Sequence, residues 1–122
     1  MSIYQEIILD HYRNPRNQTP VENPTGTVTV DNPLCGDKIT MSIREKDGVI
    51  EAISFTASGC AISIASASIL SEYALGKSKE TLRKLDKTSM IEMIGVELSM
   101  NRVKCALLPL EALSKIILSS HV

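Results

Sequence analysis

Three cysteines and one aspartate are the residues of this chain best suited to bond chemistry: Cys35, Asp37, Cys60 and Cys105. As thiolates, cysteines hold soft metal ions and attack sulfur, and a carboxylate adds one harder oxygen donor. Cys35 lies in Asn32-Pro33-Leu34-Cys35-Gly36-Asp37, turn chemistry between two extended segments. Gly36 admits backbone angles that other residues resist, so the chain can fold tightly around an atom held by Cys35. Asp37, two residues on, brings its carboxylate toward the same point. Cys60 follows Gly59 where a strand gives way to a helix, and a thiolate there meets the positive end of the helix dipole. Cys105 reads in the same way. Pro109 lacks an N–H and suits only a first helical turn, which puts the helix start near Cys105, with Lys104 adjacent and Arg102 three residues before. A single free cysteine is usually a small buried hydrophobe. Three of them, each in a loop or at an element end, favour a metal or sulfur site. No close Cys-x-x-Cys pair is present, so their convergence in space is inferred.

The elements that must position these residues are legible from periodicity. Ile3, Ile7, Ile8 and Tyr12 fall at helical spacing over residues 2–12, with Ser2 and Gln5 as a capping box and Asn14-Pro15 as the stop. Thr27–Val30 alternates as a strand. Ile39, Met41 and Ile43 alternate with polar residues, Lys46-Asp47-Gly48 makes a hairpin turn, and Val49–Ala57 returns with Ile53 and Phe55 on one face. Short connections imply antiparallel order. From Cys60 to about Leu75 the chain is a small-residue helix closed by Gly76. Ser78 caps a short turn through Leu85, Thr88–Met93 is a short helical piece, and a last helix covers about Ala106–Leu118. The expected fold is one α+β domain over residues 1–122, a small three-stranded antiparallel sheet covered by helices.

Composition narrows the function. Hydrophobic residues make up 43% and charged residues 22% of 122 residues, a folded balance for a chain long enough to bury its own core. Net charge is −1 with the signs interspersed, and aromatics are 3%, so no basic stripe with stacking rings points to nucleic acid. No apolar run reaches membrane-spanning length, and Gln5, Glu6 and Asp10 rule out a secretory signal. The expected location is cytoplasmic, where three cysteines mean metal or thiol chemistry rather than a disulfide framework. His11 on a helix ending in Asn-Pro reads as capping or packing rather than as a ligand, and His121 as exposed. Met90, Met93 and Met100 read as gap-filling core. Ser63, Ser66, Ser68 and Ser71 read as small residues that let a helix pack closely, with no Ser–His–Asp set beside them.

Four blocks, in order, carry a resemblance along nearly the whole chain: Asp10-His11-Tyr12-Arg13-Asn14-Pro15-Arg16-Asn17, Asn32-Pro33-Leu34-Cys35-Gly36-Asp37, Ser58-Gly59-Cys60-Ala61-Ile62-Ser63 and Arg102-Val103-Lys104-Cys105-Ala106. The chain resembles the NifU-like and IscU-like iron–sulfur cluster assembly family. The resemblance implies a small antiparallel sheet with packed helices, and a transient [2Fe–2S] cluster or a zinc ion held by Cys35, Asp37, Cys60 and Cys105. It implies sulfur delivered by a cysteine desulfurase, with Cys105 (or Cys35) as acceptor, and transfer of the cluster to recipient apo iron–sulfur proteins. Scaffold members carry His before the last cysteine, where this chain has Lys104. They also carry a chaperone-recognised Leu-Pro-Pro-Val-Lys segment that Val96–Val103 does not match, so no dedicated chaperone is expected. Arg102-x-x-Cys105 is similar to the SufU branch, whose members bind zinc and relay sulfur, but this chain is too short to hold that branch's extra segment between the second and third cysteines. The leading expectation is a scaffold rather than an enzyme, and its rival a zinc-binding sulfur acceptor. Beside a helix N-terminus, cationic Lys104 is a poor ligand and should favour the Cys105 thiolate, making it the fastest of the three to alkylate.

Overall fold

The structure, a computed structural model, describes residues 3–33 and 36–119. Leu34 and Cys35 lie outside the described residues, as do Ser2 of the expected capping box and His121. Helix α1 runs Ile3–Arg13, followed by three strands, β1 Gly26–Asn32, β2 Asp37–Lys46 and β3 Val49–Ser58. They form one antiparallel sheet in the order β1-β2-β3, as expected. Asn32 pairs with Asp37 across the first connection, and Lys46 with Val49 across the second. That second turn places Asp47 and Gly48 at φ 54° and 79°, the two positive angles of a type I′ hairpin.

Period-two alternation makes the sheet two-faced. Ile39, Met41 and Ile43 of β2 are fully buried. The intervening Lys38, Thr40, Ser42 and Arg44 share the opposite face with Thr27 and Thr29, where Thr27 bonds Ser42 and Thr29 bonds Thr40 across the strands. A bulge between Arg44 and Glu45 re-registers β3, so that Ile50 joins Ile53 and Phe55 in the core. Each such side chain contributes about 1.5–3 kcal/mol by leaving water.

The helices lie on the buried face. α2 (Ala61–Ala74) is apolar or small apart from exposed Glu72 near its end, with Ile62, Ser63, Ala65, Ser66, Ala67, Ser68, Leu70, Ser71 and Ala74 buried. It sits centrally against α1, β3 and the last helix, which is the place for a helix with so little wet face. α3 (Lys79–Arg83) is capped by Ser78, whose hydroxyl accepts from the Thr81 N–H. α4 (Lys87–Ile94) has a capping box between Asp86 and Ser89. Among the described residues, no helix is long and apolar enough to cross a membrane.

The last helix departs from expectation. α5 spans Met100–Ser119, beginning six residues earlier than the sequence suggested, with Pro109 inside it. Ser99 starts it: its carbonyl accepts the Val103 N–H at 2.9 Å and its hydroxyl the Arg102 N–H at 3.4 Å. The cost of an internal proline is a carbonyl left without its helical donor, here that of Cys105, four residues back. The Ser63 hydroxyl lies 3.4 Å from that carbonyl.

Candidate metal and sulfur site

Asp37, Cys60 and Cys105 come from three elements and converge. One ligand atom from each, a carboxylate oxygen and two sulfurs, lies within 4.8 Å of the others. Asp37 opens β2 and is buried, Cys60 is the half-buried N-cap of α2, and Cys105 sits in the buried face of α5. Neither described cysteine is in a disulfide. Cys35, the remaining expected ligand, lies outside the described residues, two positions before Asp37.

The carboxylate is the anchored member. Oδ1 of Asp37 accepts the backbone N–H of Cys60 at 2.9 Å, and Oδ2 accepts the Ser63 hydroxyl at 2.7 Å. Cys60 makes no side-chain cap of its own, so Asp37 reaches across from the sheet to serve the first amide of α2. Gly59 makes the approach possible: at its φ of 132° a Cβ would stand 2.0 Å from Asp37 Oδ1. Burial raises the Asp37 pKa, but hydrogen bonds from Cys105, Ser63 and Cys60 outweigh it and hold the carboxyl below its ordinary value. Asp37 is therefore a buried anion, not an ordinary turn residue.

The sulfurs differ from each other. Cys60 Sγ lies 3.8 Å from Asp37 Oδ2 and 3.6 Å from Ser63 Oγ, at the N-terminus of α2 as expected. Cys105 is only 3% exposed, and burial, then its hydrogen bonds to Asp37 and Cys60, raise its thiol pKa far above the ordinary value. This corrects the expectation of an activated Cys105 thiolate. The cysteine sits one and a half turns inside α5, away from the positive helix end, beside a buried anion that opposes deprotonation. Lys104 is exposed and lines a groove of about 370 Å³ with Asp31, Asn32, Pro33, Leu107, Leu108 and Glu111.

Together these groups favour binding a cation. Two thiolates and a carboxylate within 4.8 Å repel one another, so the protein alone keeps Cys105 protonated. A thiophilic cation would displace that proton and offset the repulsion. The donor set of sulfurs and one oxygen suits zinc or an iron–sulfur cluster. The serines of α2, read in sequence as packing residues, include one the site uses. Ser63 is fully buried against Asp37, and its position three residues after an N-cap was the available signal. His11 is a packing residue, as expected: it is buried and bonded to Ser68 Oγ at 2.7 Å.

The chain matches the NifU-like N terminal domain over residues 3–119. It is 38% identical to the iron-sulfur cluster assembly scaffold protein IscU 1 of Archaeoglobus fulgidus, over 94% of this chain and 74% of that protein. It is 34% identical to the zinc-dependent sulfurtransferase SufU of Bacillus subtilis, over 93% of this chain and 88% of the relative. Identity to the scaffold protein IscU of Escherichia coli is also 34%, over 90% and 88% of the two chains. Among solved structures, a putative iron-sulfur cluster assembly scaffold protein for the SUF system from Fervidobacterium islandicum superposes with a TM-score of 0.78 at 26% identity, covering 92% of this chain and 94% of that one. Matched over residues 3–119 and 34–38% identical to these relatives along most of its length, the chain belongs to the NifU-like N-terminal domain family.

Proposed function

We propose that this protein is a scaffold for iron–sulfur cluster assembly. It takes sulfur from a cysteine desulfurase, holds a transient [2Fe–2S] cluster on Cys35, Asp37, Cys60 and Cys105, and passes it to recipient apo iron–sulfur proteins. The observation that carries this reading is the convergence of Asp37, Cys60 and Cys105 within 4.8 Å. Soft thiolates provide tight ligation, and one oxygen donor makes a weaker corner from which a cargo cluster can leave. Sulfur delivery needs a thiolate that attacks the outer sulfur of the donor persulfide, forming one S–S bond as the donor thiolate departs. For Cys105 this requires partner docking to expose it, because the fold buries it. The work belongs to the cytoplasm.

A zinc-dependent sulfur acceptor is the second reading, favoured by the 34% identity to SufU and by Arg102-x-x-Cys105. The match to SufU runs over 131 positions, more than this chain's whole length, so the relative carries residues that this chain lacks. The match to the Escherichia coli scaffold runs over 114. This difference favours the scaffold. Anaerobic incubation with iron, cysteine and a cysteine desulfurase, followed by absorption spectra and metal analysis, tests the choice. A scaffold gains a coloured cluster with iron and sulfide bound. Colourless protein with stoichiometric zinc and strong stimulation of the desulfurase would establish the acceptor.

A further inference from the structure

Ser63 touches all three described ligand residues. Its hydroxyl lies 2.7 Å from Asp37 Oδ2, 3.6 Å from Cys60 Sγ and 3.4 Å from the Cys105 carbonyl. A hydroxyl has a single proton to donate, and the shortest of these contacts, to the carboxylate, takes it. Ser63 is fully buried, so water does not substitute for it.

We propose that Ser63 is a positioning residue of the metal site, whose hydroxyl orients the Asp37 carboxylate toward the bound cation. The ligand concerned is a thiophilic divalent ion or a small iron–sulfur cluster, so the inference rests on the metal reading of the site. Groups that orient metal ligands typically change affinity by about 10- to 100-fold when removed. Ser63 holds Asp37 in one direction, because the Cys60 N–H fixes the other oxygen. Once the thiols have given up their protons to a metal, removal of the hydroxyl leaves the carboxylate with the Cys60 N–H alone, and it can rotate away from the sulfurs.

The test is an anaerobic cobalt(II) titration of the metal-free protein, read by ligand-field and sulfur-to-cobalt absorption bands and by chelator competition, together with thermal midpoints of the metal-free forms. Ser63→Ala should weaken cobalt binding by about 10- to 100-fold and shift the ligand-field bands. Pro109→Ala supplies the Cys105 carbonyl with a helical N–H and should raise the thermal midpoint of both wild type and Ser63→Ala. It should bind cobalt no more weakly than wild type, and added to Ser63→Ala it should leave the affinity loss in place. Wild-type affinity and bands in Ser63→Ala would overturn the proposal. So would recovery of affinity in the double variant, since Ser63 would then act only through stability. A wild type that shows no sulfur-to-cobalt bands would remove the metal reading itself, an outcome distinct from a wild type that binds alongside an unaffected Ser63→Ala.

Discussion

Helix α2 buries two polar clusters, and they are built to opposite ends. Along its middle, His11 bonds Ser68 Oγ, the Arg16 N–H donates to the same oxygen, and Asn17 donates to Ser71, whose own hydroxyl donates to the Ser68 carbonyl. Glu72 stands 3.5 Å from the other His11 nitrogen, and Arg16 pairs with Asp10 at 2.6 Å. Protein groups complete this cluster, which fastens α1 and the following loop onto α2. At the N-terminus of the same helix, Asp37 is equally well held, but the two sulfurs beside it crowd an anion, and burial together with that anion holds Cys105 protonated. Burial of polar groups is common to both. A cluster of crowded anionic donors is built for a cation, whereas one whose groups pair with each other is a seam.

Breaking the site end should cost most in the metal-free protein. Asp37→Ala removes the buried acceptor of the Cys60 N–H and the Ser63 hydroxyl, a loss of about 1–3 kcal/mol. The lowered Asp37 pKa sets the sign, since the fold holds the charged form better than water does. Urea unfolding at neutral pH measures it, and an unchanged midpoint would mean that the carboxylate is not anchored.

Breaking the seam should cost less and leave the metal site alone. Burial lowers the His11 pKa, Arg16 lowers it further, and Glu72 and Asp10 partly oppose them. The folded state therefore binds the proton less readily than the unfolded chain. The stability from neutral His11 is present above the ordinary pKa of 6.5 and is lost as pH falls through that value toward the lower folded one. His11→Gln should cost about 0.5–1.5 kcal/mol at pH 8, flatten this acid dependence, and leave cobalt affinity unchanged. An undiminished slope of stability against pH would assign the acid sensitivity elsewhere.

The smallest effect belongs to Lys104. In the metal-free protein Cys60 should alkylate before buried Cys105, and Lys104→Ala should change the Cys105 rate by no more than about twofold, the scale of an exposed charge. Mass mapping of partial labelling reads both, and early labelling of Cys105 that slows in the variant would restore the activated thiolate.

Much of this was legible in the sequence. Alternation at Ile39, Met41 and Ile43 specified a half-buried strand, and Asp47-Gly48 specified its hairpin, because both signals are local. Cys60 was placed correctly for the same reason. The start of α5 was not legible from Pro109, since that rule assumes a helix must satisfy its own backbone, and here Ser63, 42 residues earlier, stands by the orphaned carbonyl. Ser99, an N-cap residue, was the local signal to weigh against it. The pKa of Cys105 was misjudged as a consequence, because its environment is set by β2 and α2 rather than by its own helix. Ser63 looked like its neighbours Ser66, Ser68 and Ser71, and only the partner in space separates a ligand-orienting serine from packing ones.

X-ray absorption of the zinc-loaded protein tests the central claim most directly. If Cys35, Asp37, Cys60 and Cys105 form one site, the metal should show three sulfurs at about 2.3 Å and one oxygen at about 2.0–2.2 Å, with one sulfur lost in Cys60→Ala. A shell of nitrogen and oxygen alone, or a sulfur count unchanged in that variant, would contradict it.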